Sequence, residues 1–173
     1  MNFAGVLQAV TDFLEGQGAR HAVIGGVALA MYGLPRTTVD LDLVVDFAVQ
    51  DALIRWLEAR GYRTLHRSGG YSNHSHSDPA QGDLDFVYVR GETAEKLFGA
   101  CRRVPGPGGR EAPVPSPEHL AALKVAALKN DPERVFRDQE DLRFLVRLPG
   151  VDRGAVRRYF EDHGLGDRFD EIL

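Results

Sequence analysis

Cysteine is nearly missing from this sequence, with one residue, Cys101, in 173. A single thiol closes no disulfide within the chain and cannot by itself make a thiolate metal centre. It fits a reducing compartment. No run of residues approaches the ~18 consecutive apolar positions that a membrane-spanning helix needs. Positive charge is not in excess either: 21 Lys and Arg stand against 25 Asp and Glu, a net charge of −4. The chain as a whole therefore has no attraction for nucleic acid or an anionic membrane, and any basic surface must be local. The first residues, MNFAGVLQAVTDFLEGQG, lack a basic stretch followed by an apolar core and carry Asp12 and Glu15, so they do not read as a targeting segment. These absences lead to the expectation of a soluble, cytoplasmic protein with no membrane partner.

What is present is the composition of a globular protein, 43% apolar and 27% charged. The length suits one domain of ordinary size with a helical appendage, and it can bury a real core. Phe3, Val6, Leu7, Val10, Phe13 and Leu14 recur at helical spacing and predict a helix over 2–16. HAVIGG reads as a short strand entering a Gly-Gly turn, VALAMYG as a short helix, and 38–46 as a second strand. A helix over 50–60 and a short strand YRTLHR follow, then the polar SGGYSNHSHSDPAQG, a hairpin or surface loop with room for a short strand inside. DLDFVYVR is another strand, followed by a helix near 92–99 and a strand near 101–104.

PGPGGREAPVPSP is dense in proline and glycine and reads as a linker. Beyond it Ser116-Pro117 and Asp131-Pro132 each start a helix, Asp152 caps a third, and Gly166 begins a short tail. The expected plan is a mixed α/β half over 1–104, a linker over 105–115 and an α-helical part over 116–173.

The chemistry concentrates in RTTVDLDLVVD, residues 36–46. Side chains alternate along a strand, so Asp40 and Asp42 share one face, roughly 6–7 Å apart from the ~3.3 Å rise per residue. Val39, Leu41 and Leu43 would face the core. Two carboxylates on one face repel each other unless a cation lies between them, and hard oxygen ligands suit Mg²⁺ or Mn²⁺. GDLDFVYVR repeats the design with Asp83 and Asp85 on one face and Leu84 and Phe86 on the other. If the strands are neighbours, an aspartate of the second joins the first pair. Three carboxylates around one point can hold two metal ions for an in-line displacement at phosphorus. Asp85, with apolar residues on both sides, is preferred over Asp83, which stands beside Gly82 as a strand-entry residue. The blander reading of each Asp-x-Asp is a solvated strand face; two of them inside apolar runs weigh against it. Gly25-Gly26, just upstream, ends a strand and opens a helix, where backbone N–H groups can meet a phosphate.

The order Ile24-Gly25-Gly26, Asp40-Leu41-Asp42, Leu84-Asp85-Phe86 resembles the nucleotidyltransferase superfamily, typified by DNA polymerase beta and the antibiotic nucleotidyltransferases. Gly25, Gly26, Ala28, Gly33, Arg36, Thr38, Asp40 and Asp42 are similar to the pattern of its AbiEii-type branch, the toxin-like enzymes of toxin–antitoxin and abortive-infection systems. EHLAALKVAALKNDPERVFRDQEDL resembles that branch's C-terminal helices, with Lys124, Arg134, Arg137, Asp138 and Asp141 in matching places. The resemblance spans about residues 20–145 and implies an α+β fold: a mixed-sheet nucleotidyltransferase core flanked by helices, with a C-terminal helical subdomain.

It also implies an activity. Asp40 and Asp42 would bind Mg²⁺ (or Mn²⁺) bridging a nucleoside triphosphate, and Asp85 would complete the site and help deprotonate an acceptor hydroxyl. Gly25 and Gly26 would admit the β and γ phosphates. Lys124 would neutralise triphosphate charge, as a lysine does well, and Arg36 likewise. Valine at 27, where many members carry Ser or Thr, departs from the pattern and implies either lower phosphate affinity or a shift of that work to backbone groups. The reaction implied is transfer of an NMP from an NTP to a hydroxyl, with tRNA or other RNA as one acceptor class and an antitoxin protein as partner. Alternatives are a small hydroxylated acceptor such as an antibiotic, or a non-catalytic binding module on the same fold.

Other residues tempt less. His74 and His76, at i and i+2 in a serine-rich loop, read as solvated rather than as a zinc pair. Trp56 reads as a core-edge aromatic. Asp138 and Asp141 either hold Lys124 or Arg134 or make helix-surface ion pairs. Arg153, Arg157 and Arg158 are a candidate local basic patch.

Overall fold

A computed structural model describes residues 1–34, 37–130 and 135–173, with only the backbone described at 130 and 135–137. It divides into two compact units, Met1–Val114 and Pro115–Leu173. Among the described residues no helix is long and apolar enough to cross a membrane.

In the first unit, helix α1 (Phe3–Gly16) is started by Asn2, whose side chain accepts a hydrogen bond from the Gly5 amide at 3.1 Å. Val6, Leu7, Val10 and Leu14 form its buried stripe. Strand β1 (His21–Ile24) runs into helix α2 (Gly25–Met31), and β2 (Asp40–Asp46) follows. Helix α3 (Gln50–Glu58) leads to β3 (Arg63–Arg67), β4 (Tyr71–Ser75) and β5 (Asp83–Val89). The five strands make one mixed sheet in the order β1-β2-β5-β4-β3. β2 and β5 are parallel; the other neighbours are antiparallel. Leu41, Leu43, Leu84 and Phe86 are fully buried on one side of the two central strands. Trp56 stacks on Phe13 at 4.6 Å under the Arg60 guanidinium, a core-edge position as expected. The fold is the α+β arrangement anticipated from the sequence.

Four expectations need correction. Val39 is 76% exposed rather than in the core, because the ladder begins at Asp40 and leaves it in a bend. The supposed linker is instead structured: after helix α4 (Gly91–Gly99), β6 (Arg102–Pro105) and β7 (Glu111–Val114) pair as a hairpin. Its turn uses glycines with positive φ at 108 and 109, and Ala112 and Val114 are buried against β1. Proline and glycine there shape a turn, which composition alone does not distinguish from a linker.

His74 is the third. It is fully buried in β4, with Nε2 2.8 Å from Ser72 Oγ and Nδ1 3.2 Å from Thr64 Oγ1. Burial pushes its pKa below the ordinary histidine value. His76 instead packs on Tyr62 and meets the Arg60 carbonyl, so the two histidines do not converge as a metal pair.

The second unit packs helices α5 (Pro117–Asn130), α6 (Val135–Arg147), α7 (Arg153–Asp162) and α8 (Gly166–Ile172). Asp152 caps α7 through the Ala155 amide at 2.9 Å. The expected Asp131-Pro132 cap lies outside the described residues. The fourth correction is the tail: α8 is a helix that buries Phe169 and Ile172, with Phe169 edge-on to Phe160 at 5.5 Å. Phe169→Ala is expected to cost about 3–5 kcal/mol, the usual cost of truncating a buried phenylalanine. Urea denaturation checks this, since truncation in a frayed tail would leave the midpoint unchanged.

Candidate active site

The parallel pairing of β2 and β5 is in register, with Asp40 opposite Asp83 and Asp42 opposite Asp85. All four carboxylates therefore leave the same side of the sheet, opposite Leu41, Leu43, Leu84 and Phe86. Asp40, Asp42 and Asp85 are each half-buried, and one oxygen from each lies within 4.8 Å of the others. Among the described residues this is the one cluster of three or more groups placed to ligate a metal. Asp83 stands exposed at the first position of β5 and is not part of it.

Neighbouring side chains hold the carboxylates. Thr38 Oγ1 donates to Asp40 Oδ1 at 2.5 Å. Asn73, directly across from Asp85 on β4, donates its Nδ2 to Asp85 Oδ1. Burial raises the Asp85 pKa; hydrogen bonds from Asn73 and Tyr71 pull it down, and the charges of Asp40 and Asp83 push it further up. Such a group holds a proton more readily than an ordinary aspartate when no cation is near.

The glycine turn is built against these acids. Gly25 has φ +63°, and a Cβ there would lie 2.0 Å from Asp42 Oδ2. A Cβ at Gly26 would lie 2.8 Å from Thr38 Cβ. Glycine at 25 thus meets two demands at once, left-handed backbone and the close approach of a carboxylate.

Lys124 belongs to the second unit. Its Nζ lies 2.9 Å from Asp138 Oδ1 and 2.6 Å from Asp141 Oδ2, with the lysine side chain 16% exposed. Asp138 and Asp141 are buried, so they form an internal ion triad with Lys124 rather than a helix-surface pair. Arg36 and Arg134 lie outside the described residues, as does the Arg137 side chain. The arginines of the candidate basic patch are all engaged within the chain. Arg153 Nε donates to the Val146 carbonyl at 3.0 Å, Arg157 meets Asp170 at 2.6 Å, and Arg158 meets Asp152 at 3.9 Å.

Asn73 and Tyr71 are site residues that the sequence does not single out: its turn-rich segment has room for a short strand, but its pairing beside β5 is long-range. The alternation of β4 is one of burial, with Ser72 and His74 inside, and residues this polar carry no apolar period in the sequence.

The chain is similar to known proteins in sequence pattern and in fold. The family model described as "Nucleotidyl transferase AbiEii toxin, Type IV TA system" matches residues 12–172. No curated protein matches the chain. Among solved structures, the antibiotic-resistance factor ANT(2'')-Ia in solution is similar at 17% identity, with 99% of this chain and 96% of that one covered and a TM-score of 0.70. The lincosamide antibiotic adenylyltransferase LnuA, lincomycin-bound, is similar at 18% identity over 83% of this chain and 96% of that one, with a TM-score of 0.56. A putative nucleotidyltransferase from Thermotoga maritima matches at 16% identity over 78% of this chain and 90% of that one, also at 0.56. At such identities the likeness establishes the fold.

Three substitutions probe these contacts. Gly25→Ala is expected to destabilise by at least the ~1–3 kcal/mol of a strained backbone position, with displacement of Asp42 adding to it. Gly33→Ala, where φ is +99° but open space surrounds the Cβ, would incur the backbone strain alone. Equal losses in urea denaturation would contradict the Asp42 contact. Lys124→Met leaves two buried carboxylates without their cation and is expected to cost about 3–5 kcal/mol. The same denaturation measurement checks it.

Proposed function

We propose that this chain, which belongs to the AbiEii nucleotidyltransferase family, moves an NMP from an NTP to a hydroxyl acceptor with a divalent cation as cofactor. The observation that carries the reading is the convergence of Asp40, Asp42 and Asp85 within 4.8 Å. Three hard, like-charged oxygen donors so placed suit Mg²⁺ or Mn²⁺, and their mutual repulsion is relieved by such an ion. Asp40, Asp42 and Asp85 would hold it. When bound, the cation supplies charge neutralisation at the triphosphate and at the leaving oxygen.

The chain's own groups account for the rest. The acceptor oxygen attacks the α-phosphorus and an O–P bond forms. The bond from the α-phosphorus to the bridging oxygen breaks, and its electron pair leaves with pyrophosphate. The acceptor's proton passes to Asp85, the carboxylate that completes the cluster. Gly25 and Gly26 leave the backbone bare for the approach of the β and γ phosphates. Lys124 and Arg36 are assigned to the triphosphate charge by their places in the family motif alone. Little covalent work is asked of the protein; positioning and charge complementarity suffice.

For the acceptor, our first reading is RNA, tRNA included, as the resemblance implies; the family description, which names a toxin of a toxin–antitoxin system, supports a toxin role with an antitoxin as partner. A small hydroxylated molecule is the second reading. It is favoured by the net charge of −4 and by the internal pairing of Arg153, Arg157 and Arg158, since an RNA footprint needs uncommitted cations.

Incubation with each α-labelled NTP, beside total RNA and a panel of small hydroxylated acceptors, tests both. Label should pass to one acceptor class, vanish with EDTA and return with Mg²⁺. Asp42→Ala should lower the rate by at least about 10³-fold, comparable to removing a principal electrostatic group from a transition state. Binding of NTP without any transfer would favour a non-catalytic module instead.

A further inference from the structure

We infer that Asn73, assisted by Tyr71, is a positioning residue for Asp85, so that strand β4 sets the geometry of the third carboxylate. The inference rests on the nucleotidyl-transfer reading and deepens it. Aspartate is broad and roughly two-fold about its terminal torsion, so a strand position alone does not fix where its two oxygens lie. Asn73 is the residue directly opposite Asp85 in the antiparallel β4–β5 pair, and its Nδ2 donates to Oδ1 of that carboxylate. The donor fixes the plane of the carboxylate and hence the places of both oxygens relative to Asp40 and Asp42. Tyr71, two residues along on the same face, also hydrogen-bonds Asp85 through its side chain. Its ring lies against His66, with centroids 5.9 Å apart and planes at 35°.

The chemistry of the donors is informative. Lysine or arginine in place of Asn73 would orient Asp85 but cancel the charge that a cation needs. An amide and a phenol orient it and leave that charge in place. Partners of this kind, behind the residues that touch a metal, typically matter 10–100-fold for affinity or rate.

The test uses the full chain, with Mn²⁺ as the probe, followed by the EPR signal of the free ion. Asn73→Leu keeps the side-chain bulk and removes the donor; it should weaken Mn²⁺ binding by roughly 10-fold or more. It should also lower kcat while leaving the KM for NTP within about 3-fold, because the triphosphate contacts lie elsewhere. Tyr71→Phe removes only a hydroxyl and should show a smaller loss in the same direction, which keeps the test usable if Asn73→Leu folds poorly. In an Asp85→Ala background, Asn73→Leu should have no further effect on Mn²⁺ affinity. Wild-type Mn²⁺ affinity in both variants, or an Asn73→Leu effect that persists without Asp85, overturns the inference while nucleotide transfer by the wild type still stands. A wild type that binds no Mn²⁺ overturns both.

Discussion

The in-register parallel pairing of β2 and β5 is the constraint on which the rest of the first unit depends. It sets Asp42 beside Asp85 and Asp40 beside Asp83, and so gathers negative charge at one face of a sheet whose other face is sealed by Leu41, Leu43, Leu84 and Phe86. Like charges at such spacing are unfavourable in a half-buried setting. The apolar side of the same strands supplies the stability that tolerates them. Slipping the register by one residue would carry the acids to the buried face and the leucines out, so the hydrophobic pattern that makes the core also specifies the site.

The surrounding elements answer that charge with neutral groups. Thr38 donates to Asp40, Asn73 and Tyr71 to Asp85, and the Gly25 backbone closes on Asp42 where no side chain would fit. None of these removes a negative charge, as the proposed cation site requires. The second unit solves a similar problem in the opposite way, with buried Asp138 and Asp141 compensated directly by Lys124. One arrangement is met by neutral donors, and the other is compensated internally by a lysine.

Much of this was legible in the sequence, for identifiable reasons. Two Asp-x-Asp strands inside apolar runs state their facing directly, because strand periodicity leaves no choice. Only pairing, a long-range property, makes them neighbours. The motif around Gly25, Asp40 and Asp42 carried the family. What was lost sat in segments whose composition mimics loops. SGGYSNHSHSDPAQG left room for a short strand but hid the burial of His74 and the Asn73 donor, because serine and histidine satisfied by Thr64 and Tyr88 look solvated until their partners are known. PGPGGREAPVPSP hid a hairpin for the same reason. Val39 was misplaced by a single residue at the strand's start, where neither periodicity nor propensity marks the boundary.

The central claim is that the three carboxylates form a cation site, and the most direct measurement is thermal unfolding with and without Mg²⁺ for the wild type and Asp40→Asn. In EDTA, Asp40→Asn relieves repulsion on Asp85 and should be at least as stable as the wild type. With Mg²⁺ the wild type should gain stability that grows with ion concentration, as linkage requires for a ligand of the native state, and overtake the variant. A wild type whose unfolding is indifferent to Mg²⁺ and Mn²⁺ alike would contradict the account.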